Sequence, residues 1–269
     1  PMLDYPSHFG LEFDPFLKNS KQSYIPTSDA KEAKHRLGIL TGTKGFGLLT
    51  GSPGTGKTTV VRNWSSELNP SLYKVIYSSL STLTVQEFYR HLALNLGIQP
   101  SYRKVDNFRL IQEEISRCWI AKRITPVIIM DEANHVSPSI LNDLKILFNF
   151  EMDSQDRAIV LLVGLPQINH TLRLNAHEAL RQRIVMNYNM EGLSKSEGRT
   201  YISEKLRCAG SSFPVFDDNA VEAILNKANG VPRVINRLCS SSLLIADSIG
   251  DKTVSVDAVT AAIDDRVID

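Results

Sequence analysis

The feature that most constrains the fold is a glycine-rich segment directly after an apolar run. "LLTGSPGTGKTTVVRNW" spans residues 48–64 and places Gly51, Gly56, Lys57 and Thr58 in the pattern G-x-x-x-x-G-K-[ST]. Glycines let backbone N–H groups approach phosphate oxygens without a Cβ clash. A helix that begins near Lys57 points the positive end of its dipole at the same anion. The sequence therefore predicts a phosphate-binding loop between a strand and a helix.

The loop residues have different expected roles in binding a nucleoside triphosphate. We expect Lys57 to reach the β- and γ-phosphates and the Thr58 hydroxyl to ligate Mg²⁺. The rest of the predicted nucleotide-binding set is Ser52, Pro53, Gly54, Thr55, Gly56 and Thr59. The alternative is a glycine-rich turn that matches by accident, but a strand-like run before it and a helical pattern after it favour phosphate binding. ATP and Mg²⁺ are the expected ligands.

A pair of acids follows a second apolar run, in "VIIMDE" at residues 127–132. The carboxyl ends of parallel strands meet at the edge of the sheet where ligands bind. We expect Asp131 to hold the Mg²⁺ shell and Glu132 to act as the base that polarises the attacking water. The alternative is two solvated turn residues. The pair predicts hydrolysis rather than mere storage of the nucleotide.

Short β-branched runs alternate with helical patterns from about residue 46 to 165. This alternation favours the α/β class, a P-loop parallel sheet sandwiched by helices. After about residue 190 the pattern becomes helical throughout. We predict an N-terminal segment with a first helix (1–45), an α/β core (46–191) and a small helical lid domain (192–269).

Several helix starts carry recognisable caps. Thr84–Glu87 and Ser194–Glu197 are capping boxes, and Ser137-Pro138 places a cap before a proline in the first turn. Asp106 is the predicted cap of the helix that contains Phe108.

Bulk composition excludes few classes. The net charge of +1 excludes a strongly polycationic body but leaves a local basic patch open. No stretch reaches the roughly 20 apolar residues that cross a bilayer, so we expect no membrane partner. The three cysteines are odd in number and widely spaced, which favours a reducing, cytoplasmic location over a disulfide or metal framework.

Two arginine sites follow the core pattern. In "LRQRI", Arg183, or less favourably Arg181, is a candidate finger that acts on a neighbouring subunit's nucleotide, and a solvated salt bridge is the alternative. In "NGVPRVINRL", a Gly–Pro turn fixes where Arg233 points, which favours a nucleotide-sensing role. Both arginines are therefore counted with Lys57 and Glu132 among the catalytic candidates.

With these motifs in order, the sequence resembles the AAA+ ATPases. More narrowly it resembles the ExeA/GspA-like group, which includes the TnsC/TniB-type helper ATPases of transposons. "HFGLEFDPF" at His8–Phe16 is similar to the N-terminal signature of that group, and "LRQRIVMNYNMEGLS" and "NGVPRVINRLC" are similar to its later blocks. One departure is Leu165, because such proteins carry a polar first sensor after this strand. Gln167 and Asn169 follow it.

The resemblance implies assembly of copies into a ring or filament, with ATP between subunits. It makes Arg183 the preferred finger and Arg233 the second sensor. The favoured function is a transposition helper that binds duplex DNA as an ATP-dependent oligomer and recruits a transposase, with a target-selection protein as a further expected partner. In the segment "PSYRKVDNFR" at residues 100–109, Arg103 and Lys104 are the candidate contacts to DNA phosphates, and a solvated loop is the alternative.

Two other functions stay open as alternatives. A secretion or envelope-assembly ATPase is expected to carry a membrane span and an envelope-binding domain after the ATPase. A replication initiator or loader is expected to carry an added winged-helix module. Neither pattern is visible after the helical region of this sequence, which favours the helper.

Overall fold

The apolar runs form one parallel sheet in the computed structural model, which describes residues 4–18, 24–79, 83–150 and 156–265. The strands are β1 (Gly45–Gly51), β2 (Tyr73–Ser79), β3 (Thr125–Asp131), β4 (Ile159–Gly164) and β5 (Ile184–Met190). Their order is β2-β3-β4-β1-β5, and neighbouring strands are parallel. The central strands β1, β3 and β4 are buried almost throughout, which explains their continuous apolar sequence. The predicted α/β class is confirmed.

β5 is a strand that the sequence patterns do not predict. It lies at the edge of the sheet and pairs with β1. Its exposed positions include Asn187 and Asn189, and asparagine is depleted in strands. Pairing with the buried β1 outweighs this weak local preference.

Helices flank and connect the strands. Among the described residues they are α1 (Tyr5–His8), α2 (Ser28–Thr43), α3 (Lys57–Glu67), α4 (Val85–Asn95), α5 (Lys104–Arg117), α6 (Pro138–Leu147), α7 (Ile168–Arg173), α8 (Glu178–Gln182), α9 (Lys195–Cys208), α10 (Asp218–Ala228), α11 (Pro232–Ser248) and α12 (Val256–Asp264). A π-helical turn covers Cys118–Lys122, and 3-10 turns cover Ala133–His135 and Asn175–His177. None of the described helices is both long and apolar enough to span a bilayer.

The helix caps follow the sequence with one exception. Both predicted capping boxes are present, at the starts of α4 and α9. The Ser137 side chain accepts a hydrogen bond from the Ile140 N–H at the start of α6. The prediction that Asp106 caps its helix is wrong. The cap position is Arg103 and α5 begins at Lys104, so Asp106 lies inside the first turn, where a carboxylate still complements the helix dipole.

The chain divides into two compact units. The core unit comprises residues 32–52 and 57–190, and the helical unit comprises residues 1–31, 53–56 and 191–269. The segment 1–45 is thus divided after Lys31, and its first part joins the helical unit. The loop residues 53–56 are also grouped with the helical unit.

Hydrophobic packing explains why the N-terminal residues join the helical unit. Tyr5, Phe9, Leu11 and Phe16 are buried in the same apolar cluster as α9 to α12. The buried Asp14 carboxylate accepts hydrogen bonds from the Tyr5 hydroxyl, the Ser240 hydroxyl and the Phe16 N–H. A buried carboxylate requires such donors, so the segment is anchored by polar as well as apolar contacts.

Candidate nucleotide site

The glycine-rich loop lies in the backbone context that phosphate binding requires. β1 ends at Gly51 and α3 begins at Lys57. Gly54 and Gly56 have φ values of +80° and +101°, a region that residues with a Cβ rarely enter. The first turn of α3 exposes Thr58 and Thr59. The loop therefore presents a helix N-terminus and a backbone free of side chains at the two turning points.

Lys57 is folded back over its own loop. Its ammonium donates hydrogen bonds to the carbonyl oxygens of Gly51 at 2.6 Å and Ser52 at 3.0 Å. These are neutral acceptors, and phosphate oxygens are stronger acceptors for an ammonium group. The side chain is therefore poised beside the loop with donors that a phosphate can take over.

Asp131 lies at the same edge of the sheet as the end of β1. It is the last residue of β3, and parallel pairing places the carboxyl ends of β3, β4 and β1 along one edge. The Asp131 Oδ1 accepts the Glu132 N–H at 2.8 Å. The Asp131 Oδ2 accepts a hydrogen bond from the Tyr77 hydroxyl. Both oxygens are thus held in place by donors.

Glu132 has a strained backbone. Its φ of 54° and ψ of 36° lie in the left-handed region, which costs a residue with a Cβ about 1–2 kcal/mol. Its side chain is exposed, and one carboxylate oxygen accepts the Ser79 hydroxyl at 3.3 Å. Strain of this kind concentrates at functional sites. The turn therefore leaves an exposed carboxylate next to the ends of β2 and β3.

The oxygen donors here suit Mg²⁺. In the described part of the chain no group of three or more His, Cys, Asp or Glu side chains is arranged to hold a metal. Mg²⁺ commonly takes one or two protein oxygens, completed by water and substrate phosphates. The Thr58 hydroxyl and the Asp131 carboxylate are such donors, so this residue set fits magnesium bound together with a nucleotide.

The end of β4 is tied to the acidic turn by Asn134. The Asn134 Oδ1 accepts the Leu165 N–H at 3.1 Å. A Cβ on Gly164 would lie 2.9 Å from the same oxygen, so the glycine makes room for this contact. Beyond Leu165, Gln167 is exposed and the Asn169 side chain donates to the Pro166 carbonyl at 3.2 Å.

Arg183 is turned inward. Its guanidinium donates to the carbonyl oxygens of Lys145 and Phe148, each at 2.8 Å, and lies 3.6 Å from the Asp156 carboxylate. Its carbon Cζ is 4.9 Å from the centre of the Phe46 ring. The side chain is 16 % exposed. It therefore satisfies carbonyls at the end of α6, which otherwise lack helical partners.

Arg233 lies at the start of α11 against the glycine-rich loop. Its N–H donates to the Gly54 carbonyl at 3.3 Å. A Cβ on Gly54 would approach its Nε to 2.8 Å. Arg233 itself is exposed, and across the described ranges its guanidinium has no side-chain hydrogen bond or ion pair. The backbone contact and the exposed cation lie within the helical unit.

The two candidate DNA contacts differ although they are adjacent. Arg103 is 76 % exposed and lies 4.0 Å from the Asp106 carboxylate. The Lys104 ammonium lies 2.7 Å from the Asp143 carboxylate, which is 15 % exposed. Lys104 is thus committed to a contact between α5 and α6, whereas Arg103 remains available on the surface.

Tyr77 and Ser79 are polar contacts of the acidic pair that the motifs do not reveal. Burial, and then the Asp131 carboxylate, raise the pKa of the Tyr77 hydroxyl, so that hydroxyl stays a donor. The sequence signal that could have found both residues is their spacing of two, which puts them on one face of β2. Ser79 pairs with Asp131 in the sheet. Only the strand register shows that the two strands end together.

Comparison with known proteins agrees with this geometry. Residues 40–172 match the family model described as AAA domain. The chain is 31 % identical over 251 residues to general secretion pathway protein A of Aeromonas hydrophila, covering 91 % of this chain and 45 % of that protein. This chain therefore spans less than half the length of that relative.

Solved structures share the fold at low identity. Cdc6p from Pyrobaculum aerophilum has a TM-score of 0.66 at 17 % identity, covering 94 % of this chain and 71 % of that one. The Aeropyrum pernix ORC1 protein, solved in complex with DNA, has a TM-score of 0.64 at 17 % identity, covering 93 % and 68 %. The chain therefore contains a region that matches an AAA domain, has the parallel-sheet fold of these solved structures, and is similar to general secretion pathway protein A.

Proposed function

We propose that the chain hydrolyses ATP with Mg²⁺ and that the bound nucleotide controls its assembly on duplex DNA. The observation that carries the ATPase part is the shared sheet edge. The loop at Gly51–Lys57 begins at the carboxyl end of β1. The acids Asp131 and Glu132 lie at the carboxyl end of β3, in the same parallel sheet. Glu132 additionally has the strained backbone expected of a functional position.

Each residue has a defined task in this proposal. Loop N–H groups and the Lys57 ammonium bind phosphate oxygens, after Lys57 leaves the carbonyls of Gly51 and Ser52. Thr58 and Asp131 hold Mg²⁺, which when bound neutralises charge on the phosphates. The Glu132 carboxylate, exposed and adjacent, takes the proton of the attacking water.

The test uses two substitutions with distinct outcomes. Lys57→Ala is expected to lose nucleotide binding, measured with a fluorescent ATP analogue. Glu132→Gln is expected to keep binding but release phosphate at least about 100-fold more slowly. Glu113→Gln, an exposed glutamate on α5 paired with Arg109, is the matched control and should be unchanged. Full phosphate release by Glu132→Gln would exclude Glu132 as the base.

For assembly we propose an arginine supplied by the neighbouring copy. Arg183 is the first candidate from sequence, but it would have to give up the carbonyls at the end of α6 and Asp156 to reach a neighbour. Arg181 is exposed and holds the carbonyl oxygens of Leu172 and Arg173. If the finger acts in trans, the alanine variant of whichever arginine is the finger, Arg183→Ala or Arg181→Ala, should restore some hydrolysis when mixed with Glu132→Gln subunits. A mixture without recovery counts against it.

Arg233 is proposed as the second sensor, because it already contacts Gly54 of the loop. Arg103 is proposed as a contact to DNA phosphates because it is exposed and basic, with Lys104 as the weaker candidate. Backbone contacts of this kind position a duplex without reading its sequence.

The proposed output is recruitment of a transposase to DNA by the assembled form, with a target-selection protein as a further partner; the motif resemblance supports it. The alternative is an ATPase of a secretion system, which the 31 % identity to general secretion pathway protein A favours. Electron microscopy with a slowly hydrolysed ATP analogue separates them. A ring or filament threaded by duplex DNA supports the helper, and unaltered monomers with DNA favour the secretion alternative.

A further inference from the structure

The side chains of β2 reach the acidic pair from the neighbouring strand. Tyr77 pairs with Ile129 and Ser79 pairs with Asp131 in the parallel register. Residues two apart in a strand share a face, so Tyr77 and Ser79 point the same way. The Tyr77 hydroxyl extends beyond its own pair and donates to the Asp131 Oδ2.

The two oxygens of Asp131 have different kinds of donor. The Oδ1 accepts the N–H of the next residue, Glu132, at 2.8 Å. Every residue type except proline supplies that N–H. The Oδ2 accepts a hydrogen bond from the Tyr77 hydroxyl, and this donor depends on which side chain occupies position 77. Only the second contact can be removed by substitution without changing the turn.

Packing alone does not account for tyrosine at this position. Tyr77 is 51 % exposed, and phenylalanine has the same strand preference and ring. What tyrosine adds is the hydroxyl, which lies against the carboxylate that is expected to hold magnesium.

We propose that Tyr77 is a positioning residue that orients the Asp131 carboxylate for Mg²⁺. This inference rests on the proposed binding of Mg²⁺ and ATP at this sheet edge. A carboxylate has about four lone-pair positions, so Asp131 can keep the Tyr77 hydrogen bond while another lone pair faces the metal or its water. Without the hydroxyl, the carboxylate rotates more freely and must be ordered when the metal binds.

The test is Tyr77→Phe, which removes one oxygen atom. Tyr73→Phe is the matched control, since Tyr73 lies on the same face of β2 about 13 Å from Tyr77, toward the start of the strand. The measurement is binding of a fluorescent ATP analogue to the intact chain during a Mg²⁺ titration, and again in excess chelator. Loss of an outer hydrogen bond to a metal ligand typically weakens metal binding at least about 10-fold.

We expect Tyr77→Phe to raise the Mg²⁺ concentration at half-saturation about 10-fold. Its affinity for the analogue in chelator and its melting temperature should match wild type, and phosphate release should recover at high Mg²⁺. Tyr73→Phe should behave as wild type. An unchanged Mg²⁺ midpoint in Tyr77→Phe overturns the assignment, as does an equal loss of binding with and without Mg²⁺. Failure of the wild-type chain to bind the analogue overturns the proposed function instead.

Discussion

Two arginines that look equivalent in sequence occupy opposite environments. Arg183, after the last helix of the core unit, is 16 % exposed and donates to two carbonyl oxygens at the end of α6. Arg233, at the start of α11, is exposed and contacts the loop at Gly54 through its backbone. The first guanidinium is used by the fold, whereas the second has no side-chain hydrogen bond or ion pair among the described residues.

The difference shows that motif position does not determine what a cation does. A guanidinium has five N–H donors in a fixed plane, and it satisfies whichever acceptors the fold brings near. At Arg183 these are carbonyls that α6 cannot pair internally. Near Arg233 the Gly54 carbonyl accepts the backbone N–H, and among the described residues the exposed guanidinium has no side-chain hydrogen bond or ion pair.

The largest expected effect is on stability. Arg183→Ala should lower the free energy of unfolding by about 3 kcal/mol, because it removes two hydrogen bonds from a charged donor and leaves both carbonyls without that partner. Urea unfolding measures this change. Arg181→Ala is the matched control: Arg181 also donates to two carbonyl oxygens, at 3.3 and 3.0 Å, but it is exposed, so water can replace it and the change should cost less than about 1 kcal/mol. Equal costs for the two variants would erase the contrast between a largely buried and an exposed arginine.

A smaller effect is expected on nucleotide affinity. Arg233→Ala should weaken ATP binding about 10-fold, since one charge-assisted contact to phosphate is lost. Its free energy of unfolding should stay within about 0.5 kcal/mol of wild type. Titration with a fluorescent ATP analogue checks this. Arg199→Ala, an exposed arginine in the same unit paired with Glu222, should leave affinity unchanged. An Arg233→Ala variant with normal affinity would remove the sensor assignment.

The smallest effect extends the contrast to Arg103 and Lys104. Losing one phosphate contact should reduce the salt dependence of DNA binding by about one unit of slope. For Arg103→Ala this makes wild type and variant diverge about three- to four-fold in relative affinity between 50 and 200 mM salt. Lys104→Ala should instead lower stability by about 1 kcal/mol, because it removes the partner of the partly buried Asp143. Filter binding and urea unfolding distinguish the two, and a normal slope for Arg103→Ala would exclude it as a contact.

Much of the fold was predictable because its signals are local. The buried strands β1, β3 and β4 have continuous apolar sequences, and the capping boxes at Thr84 and Ser194 involve residues three apart. The edge strand β5 was missed because its exposed asparagines disfavour a strand, and only pairing with β1 overrides them. The cap of α5 was placed three residues too late, at Asp106 instead of Arg103, since helix ends depend on neighbouring turns as well as on a capping side chain.

The candidate site was predictable where one chain segment supplies it. The loop around Lys57 and the pair Asp131–Glu132 follow from short contiguous patterns. Tyr77 was not predictable, because its contact with Asp131 depends on the register between two strands separated by two helices. The inward turn of Arg183 likewise depends on where α6 ends.

By itself, the sequence determined the phosphate loop, the acidic pair and a parallel sheet, because backbone freedom and hydrophobic periodicity act over a few residues. The tertiary structure decided that the N-terminal residues belong with the helical unit, that the Arg183 guanidinium donates to carbonyls of its own chain, and that Tyr77 on the neighbouring strand donates to Asp131. Those outcomes depend on which carbonyls, carboxylates and rings meet after folding. Such meetings join residues far apart in the chain, and no local pattern encodes them.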